Sequence, residues 1–257
     1  MNYTMRKKEK VLRIILPITV VIAVLVILSA YTYIQRKNVI KDAEYSMNQM
    51  AEYMAGSISN EIGYAKSSIK LAALNVSQTM TSMDIDDPTG IIASVLENTP
   101  FANIEYIRPD GMNVMNIGEP FDARDRVYYI EGIKGNTGIW NNYHPKTSQE
   151  NLMNFYTPLI YKGEIAGVIT GYIEATSQIS PLFETSLYGK KIHGAIIDED
   201  NMVICSTQDN EYEYEYEKDL TLDKYLNRIE VSSDQKEQIY GFLDAATEKA
   251  VSYNEKN

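Results

Sequence analysis

The feature that most constrains this chain is residues 14–34, a run of 21 residues without a charged side chain that is rich in isoleucine, valine and leucine. A helix of about 20 such residues spans the hydrocarbon core of a bilayer. Five basic residues precede the run and three follow it within residues 36–41. The positive-inside rule therefore predicts a single-pass plasma-membrane protein with cytoplasmic residues 1–13, a transmembrane helix at 14–34 and an extracytoplasmic remainder.

A cleaved secretory signal is the alternative interpretation of this run. Such signals usually have an apolar region of about 7–15 residues, followed by small residues at positions −3 and −1 of the cleavage site. The run here is longer, and the best candidate site has Leu28 at position −3. We therefore favour an uncleaved anchor.

Composition narrows the classes of function. The chain has 24 basic and 35 acidic residues, a net charge of −11, whereas nucleic-acid binders usually present a basic face. One cysteine, Cys205, excludes an intramolecular disulfide framework and a multi-cysteine zinc site. No hydrolase elbow, zinc-protease motif or phosphate loop occurs in the sequence. We expect no nucleic-acid partner, no catalytic residues, no metal site and no cofactor in this chain.

A helical stalk is predicted at residues 35–80, because apolar or small residues recur there at steps of three and four. The stripe can pack on the chain's own domain or on a second copy, and we expect both along different parts of the helix. A homodimer through the stalk is therefore expected. The stripe consists of Ile40, Ala43, Met47, Met50, Met54, Ile58, Ile62, Ala65, Ile69, Ala72, Val76 and Met80.

Strands and turns alternate after a short predicted helix at residues 89–97. The three predicted hairpins pair residues 104–107 with 112–117, 155–161 with 165–173, and 195–198 with 202–206. A predicted helical stretch near residues 177–188 separates the third hairpin from the other two. The pattern predicts an α+β fold with one antiparallel sheet module at residues 81–180 and a second, smaller sheet module at residues 181–257. Residues 250–253 have the pattern of a strand without a following partner, which predicts that the second module is truncated.

The stretch Asp122-Ala-Arg-Asp-Arg-Val-Tyr-Tyr129, followed by Gly132, carries the most specific pattern in the chain. A second run, Gly-Val-Ile-Thr-Gly-Tyr-Ile, begins at Gly167. Together they resemble the Cache family, the PAS-like extracytoplasmic sensor domains of bacterial transmembrane receptors such as diguanylate cyclases and chemoreceptors. The order of anchor, long helix, membrane-distal sheet and smaller proximal module resembles the double-Cache members.

The resemblance implies an extracytoplasmic sensor that binds a small molecule in the distal module and signals through the stalk. A stand-alone, membrane-anchored binding module without signalling output is the alternative. If the chain is a signalling sensor, we expect it to be the sensing part of a diguanylate cyclase or chemoreceptor.

The same resemblance assigns the candidate ligand-binding residues. Arg126 matches an arginine that pairs with a ligand carboxylate, which suits a guanidinium because it donates two parallel hydrogen bonds. Tyr128 stands where the family has a tryptophan, and Tyr143 matches a pocket tyrosine on the following strand. Asp122, Tyr156 and Tyr172 complete the predicted set. An ion pair of Arg126 with Asp122 or Asp125 that only fastens the loop is the structural alternative.

Two departures from the family pattern bear on the ligand. The position two after Tyr143 is Pro145, and the position at the end of the second run is Tyr172, whereas the family often has aspartate at both. The carboxylates that would hold a ligand ammonium are therefore missing from these positions. The resemblance thus implies a carboxylate, aromatic or purine-like ligand rather than an α-amino acid.

Overall fold

The structure, a computed structural model, describes residues 2–81, 89–97, 99–115, 120–142, 151–183, 186–187, 190–191, 194–198, 200–206 and 220–254. The chain divides into two compact units, residues 1–56 and 57–257. The first helix, α1 (Asn2–Thr79), begins in the first unit and ends in the second. It contains the predicted transmembrane and stalk segments in one continuous helix.

The first unit carries the membrane-spanning candidate. Among the described residues, one helix is long and apolar enough to cross a bilayer, and its apolar window is fully exposed in the chain. Large apolar side chains from Val20 to Ile34 are exposed by about half or more of their surface. Lipid is the environment that such an all-round apolar surface favours. The fold therefore agrees with a single-pass membrane protein.

Residues 57–79 of α1, about six turns, lie in the second unit and bury one side of the helix. Ala65, Ile69, Ala72 and Val76 follow steps of three and four and are almost fully buried. The Ser77 hydroxyl donates to the carbonyl of a residue in the sheet. This confirms the prediction that part of the stalk stripe packs on the chain's own domain, whereas Ile40 and Met47 of the same stripe are about half exposed.

A five-stranded antiparallel sheet forms the centre of the second unit, with the strand order β2-β1-β5-β4-β3. The short helix α2 (Thr89–Leu96) precedes β1 and packs on it, which confirms the predicted helix. Both hairpins predicted for this module are present. The strands are β1 (Asn103–Ile107), β2 (Asn113–Met115), β3 (Gly138–Asn142), β4 (Leu152–Tyr161) and β5 (Glu164–Glu174), and α3 (Val127–Gly132) lies between β2 and β3.

One face of this sheet, the apolar face, is a conventional core. Ile104, Phe155, Ile169 and Ile173 are fully buried there. The Phe101 ring packs on Phe155, with 5.6 Å between the ring centroids. Opposed residues of antiparallel strands share a face, so the register alone brings Ile104 and Phe155 to opposite sides of the same glycine in β5.

Two glycines shape the β4–β5 hairpin. Gly163 has φ +88° in the turn, beside Lys162 at φ +52°, which are the positive values that a two-residue hairpin turn requires. Gly167 has φ +145° and follows a bulge at the register shift between Leu159 and Ile160. A Cβ at Gly167 would clash with the carbonyl oxygen of Ile107 on the neighbouring strand. Glycine is therefore required there for conformation and for space.

The remaining elements form the smaller module. A π-helical turn (Ala175–Ile179) and a 3-10 turn (Ser180–Phe183) follow β5 directly. Four described strands of two to four residues come next, paired as two hairpins, and two helices follow. The elements are β6 (Ser186–Leu187), β7 (Lys190–Lys191), β8 (Ala195–Ile197), β9 (Val203–Ser206), α4 (Leu222–Arg228) and α5 (Ser233–Asn254).

Two sequence-based predictions in this module are wrong. Residues 177–188 contain short helical turns and a strand, β6, rather than one helix. Residues 250–253 belong to helix α5, not to a strand. The argument for a truncated module therefore loses its basis. The predicted third hairpin is present as β8 and β9.

Two side chains connect the two modules of the second unit. The Asn151 amide donates to the carbonyls of Val203 and Ile204 in β9, at 3.1 and 2.9 Å. The Ser180 hydroxyl donates to the carbonyl of Ser206 at 3.0 Å. Asn151 directly precedes β4 and Ser180 follows the π-helical turn after β5, so the two central strands of the sheet are tied to β9.

Candidate functional site

The face of the sheet opposite the apolar face is polar, although it is buried. Strand register places Glu105, Thr170 and Tyr156 in one row across β1, β5 and β4, and Asn103, Tyr172 and Asn154 in the next. We call this surface the polar face. Its residues are Asn103, Glu105, Asn113, Asn154, Tyr156, Thr170 and Tyr172, and all except Tyr172 are at least nine-tenths buried. A buried polar surface of this extent is costly unless its groups have partners.

Helix α3 covers part of this face and carries the aromatic motif residues. Tyr128 is buried in a cluster with Ile107, Tyr156 and Val168. The Tyr128 ring lies against Trp140, with 5.5 Å between the ring centroids. The structure therefore brings the predicted site residues Tyr128 and Tyr156 together on the polar face.

A glycine in α3 allows the helix to approach the sheet closely. A Cβ at Gly132 would lie 2.6 and 2.7 Å from the two methyl groups of Val168. Side-chain bulk at this position would separate α3 from β5 and move Tyr128 away from the polar face. Gly132, which follows the aromatic motif in the sequence, therefore determines how closely α3 packs on β5 and on the polar face.

The loop before α3 is fastened to the β1–β2 turn. The Ala123 N–H donates to the Gly111 carbonyl at 2.8 Å, and the Tyr129 hydroxyl donates to the Pro109 carbonyl at 2.8 Å. These bonds fix the position at which α3 begins, and therefore the direction of the residue before it, Arg126.

Asp122 is an exposed member of this loop. Its carboxylate accepts hydrogen bonds from the backbone N–H and the Nε of Arg124, at 3.0 and 2.9 Å. These bonds lower the pKa of the Asp122 carboxyl well below its usual range. Arg124, rather than Arg126, is thus the partner of Asp122. The predicted ligand-binding role of Asp122 stays a prediction, and its geometry is that of a loop fastener.

Arg126 is largely buried, with 22% of its side chain exposed. Its Nε lies 3.5 Å from an oxygen of Asp125, which is 79% exposed. Within the described residues, this buried Nε has no hydrogen-bond partner. The guanidinium therefore holds unused donor capacity beside Tyr128, the aromatic residue whose electrostatic environment includes Arg126.

Glu105 is the acidic group of the polar face. Its carboxylate accepts a hydrogen bond from the Asn113 amide at 2.7 Å. Burial raises the pKa of Glu105 to about 7, and the bond from Asn113 lowers it in part. Burial also raises the pKa values of Tyr128 and Tyr172, and the charge of Glu105 adds to both increases.

Several buried polar atoms of the polar face, and the Nε of Arg126 at the start of α3, have no hydrogen-bond partner within the described part of the chain. The acceptors among them are Oδ1 of Asn103 and Oδ1 of Asn113, and the donors are Nδ2 of Asn154 and Nε of Arg126. The Thr170 hydroxyl, which can do either, belongs to the same group. Such groups are rare in folded proteins, so their concentration on one face indicates a site for a polar ligand.

The other predicted residues have different outcomes. Tyr172 lies on the polar face and is half-buried. Tyr143 and the departure at Pro145 lie outside the described residues. Among the described residues, no group of three histidine, cysteine or acidic side chains could hold a metal ion.

A groove of about 300 Å³ elsewhere in the second unit is a weaker candidate. It lies between α1 and α2 and has no ionisable side chain in its lining. Its lining residues are Asn75, Gln78, Thr79, Ile91, Ser94 and Val95. The polar face, by contrast, combines a cation, an acid and unpaired polar atoms, so it is the candidate binding site.

Comparison with known proteins rests on structure. No protein-family model matches the sequence, and no curated protein matches it. The sensory domain of the Campylobacter jejuni chemoreceptor Tlp3 with isoleucine bound has a TM-score of 0.54 at 12% identity, covering 74% of this chain and 80% of that one. The ligand-binding domain of the Pseudomonas aeruginosa amino acid chemoreceptor PctC, in complex with GABA, has a TM-score of 0.52 at 13% identity, covering 64% and 76%.

The helix-and-sheet fold of this chain resembles that of these chemoreceptor sensor domains. The fold is that of a Cache-type sensor domain. A third structure with this Cache fold, the ligand-binding domain of the Pseudomonas fluorescens chemoreceptor CtaA with L-serine, has a TM-score of 0.50 at 17% identity, covering 64% and 72%. The prediction of an α+β Cache fold is thus confirmed. The proteins that share it are ligand-binding domains of receptors rather than catalytic domains.

The sequence analysis missed Glu105 and the asparagines around it. A signal was present, since Asn103 and Glu105 occupy alternate positions of an otherwise apolar strand and alternate residues share a face. The signal could be recognised only with the register, because Asn154 and Thr170 reach the same face from strands about 50 and 65 residues later, respectively.

Proposed function

We propose that the chain is the sensing part of a membrane receptor, and that it binds a small molecule with a carboxylate on the polar face of its Cache fold. The buried Nε of Arg126 beside Tyr128 is the observation that carries this proposal. Orientation follows from the positive-inside rule, with the second unit outside the cytoplasm. Ligand binding would favour one of two conformations of the sheet module, and α1 would transmit the difference.

Trp140 provides a direct test, because it is the only tryptophan of the chain and its ring lies against Tyr128. The full chain in dodecyl maltoside micelles is titrated with isoleucine, L-serine, GABA, short carboxylates and aromatic acids. We expect a saturable change of Trp140 fluorescence with at least one carboxylate compound. No saturable response from any of them would contradict the proposal.

Arg126→Ala should weaken that binding by about 10- to 150-fold, since a hydrogen bond to a charged group contributes about 1.5–3 kcal/mol. Arg124→Ala is the matched control. It removes an exposed guanidinium from the same loop, so it should leave the Kd unchanged. An unchanged Kd for Arg126→Ala would remove Arg126 from the binding site.

The exposed part of the stalk stripe supports a homodimer. Ile40 and Met47 lie on one side of α1 and are about half exposed, and apolar residues at such spacing favour a helix–helix seam. In a Cys205→Ser background, we expect Met47→Cys to form a disulfide-linked dimer in membranes under mild oxidation. Glu52→Cys, about half a turn away from the seam, should not. Equal cross-linking of the two variants would contradict a specific seam.

The apparent mass of the gene product tests whether the sensing part is joined to an output domain. As the sensing part of a diguanylate cyclase or chemoreceptor, the gene product in native membranes should migrate well above the mass of 257 residues on an immunoblot against the second unit. A product of 257 residues would favour the alternative, a membrane-anchored binding module.

A further inference from the structure

The unpaired polar atoms of the polar face are separated by kind. The unpaired acceptor oxygens are those of Asn103 on β1 and Asn113 on β2. The Glu105 carboxylate, which accepts one hydrogen bond from the Asn113 amide, lies on the same face of β1. The donor nitrogens, those of Asn154 and Arg126, are on β4 and at the start of α3. Strand β5 lies between the two groups. The face therefore has one end that accepts hydrogen bonds and another that donates them.

The charged groups at the two ends of the face do not neutralise each other within the described part of the chain. No ion pair joins Arg126 to Glu105 among the described residues, and the Glu105 carboxylate accepts a hydrogen bond from the neutral Asn113 amide. The Tyr128 phenol lies within electrostatic range of both the Glu105 carboxylate and the Arg126 guanidinium. A buried carboxylate without a counter-charge is costly, and the largely buried Arg126 has only the exposed carboxylate of Asp125 nearby, at 3.5 Å. A ligand with complementary charges at its two ends would satisfy both groups.

We propose that Glu105 determines the specificity of this site by accepting a cationic nitrogen of the ligand, while Arg126 holds the ligand carboxylate. The inference rests on the proposed function and adds a ligand class to it, molecules that carry both an ammonium or similar group and a carboxylate. Glu105 on β1 thus supplies the carboxylate that positions 145 and 172 lack. The expectation that these departures disfavour an amino-bearing ligand is replaced by recognition from a different strand.

Matched probes separate the two ends of the ligand. L-valine carries both groups, isovalerate lacks the amine and isobutylamine lacks the carboxylate. GABA, butyrate and n-butylamine form a second set with a larger distance between the groups. For at least one set, we expect the full chain to bind the zwitterion at least tenfold more tightly than either partial probe, measured by Trp140 fluorescence.

Variants then assign the preference to a residue. Glu105→Gln keeps the shape and the bond from Asn113, and it should reduce the preference for zwitterion over carboxylate probe at least tenfold. Glu105→Asp, which keeps the charge, should retain part of that preference. Glu164→Gln, at an exposed position of the β4–β5 hairpin, is the control and should change nothing.

The possible outcomes are distinct for the two proposals. An unaltered preference in a folded Glu105→Gln variant overturns the role of Glu105. A wild-type chain that binds isovalerate or butyrate as well as the zwitterion overturns the ligand class, yet it leaves the proposed function intact if Arg126→Ala still weakens that binding. Loss of both effects contradicts both proposals.

Discussion

Gly167→Ala is expected to destabilise the second unit by about 3–5 kcal/mol. Two costs add at this position. A non-glycine residue at a positive φ costs about 1–3 kcal/mol, and φ here is +145°. The new Cβ also clashes with the Ile107 carbonyl oxygen and with the Tyr106 ring, and such overpacking costs about 1–3 kcal/mol.

The clash cannot be relieved by moving one flexible side chain. The Tyr106 hydroxyl donates to the Ala166 carbonyl at 2.8 Å, so its ring is held at both ends. The Ile107 carbonyl belongs to the β1–β5 ladder. Relief therefore requires strands β1 and β5 to separate.

Gly163→Ala is the matched control for Gly167→Ala. Gly163 also has a positive φ, +88°, but its Cβ would meet nothing within 4 Å. Gly163→Ala should lower the free energy of unfolding by about 1–2 kcal/mol, which is the conformational cost alone. In thermal melts of the full chain in micelles, followed by Trp140 fluorescence, we expect Gly167→Ala to lower Tm by roughly 6–15 °C. Equal shifts for the two variants would mean that the clash contributes nothing.

Glu105→Gln is expected to stabilise the ligand-free protein at pH 8 and to have little effect near pH 4.5. The pKa of Glu105 is raised from 4.5 to about 7 in the folded protein. The folded state therefore holds the proton more tightly than the unfolded state. The resulting stability is fully present below pH 4.5 and is lost as the pH rises through 7, a change of about 3 kcal/mol.

The pH dependence should be specific to Glu105. The phenols of Tyr128 and Tyr172 lie within electrostatic range of Glu105, and burial raises the pKa of both phenols away from this range. At each pH, the Tm of the wild type is subtracted from the Tm of Glu105→Gln. This difference removes the contribution of the other carboxylates, because both proteins contain them. The difference should grow between pH 4.5 and pH 8 by roughly 6–12 °C, and parallel melting curves would contradict it.

The sheet could be predicted to the extent that its strands are joined by short turns. The sequence Arg108-Pro-Asp-Gly111 and the pair Lys162-Gly163 each contain the turn residues that close a hairpin, and both hairpins are present. The closing geometry is local, since the Gly111 N–H donates to the Arg108 carbonyl at 2.9 Å. The order of the strands, by contrast, is set by pairing between β1 and β5, which are more than 50 residues apart.

The strand predicted at residues 250–253 is wrong because the conformation there also depends on residues outside the segment. Valine and tyrosine favour strands in isolation, and a short apolar run cannot distinguish a strand from a helix. Here the run continues helix α5, which begins at Ser233. Once a helix is nucleated, each further residue adds a hydrogen bond at small cost, so upstream residues decide the conformation of this segment.

The candidate site was predictable only where a motif lies within one short stretch. Arg126 and Tyr128 are two residues apart, and one loop and one helix place both of them. Glu105, Thr170 and Asn154 converge from three strands, so their proximity depends on the tertiary fold. The polar residues of the site therefore come from several strands, although its most recognisable residues, Arg126 and Tyr128, lie within one short stretch.

The concentration of unpaired polar atoms on one buried face also has a consequence for the amount of protein in the cell. Each such group costs about 1–3 kcal/mol when it lacks a partner, so the protein without its ligand is held closer to unfolding. A ligand that supplies those partners binds only the folded state and reduces the unfolded fraction by mass action. Proteases remove the unfolded fraction. The lifetime of the protein should therefore increase when its ligand is abundant, and its number of copies would reflect the nutrient or signal history of the cell.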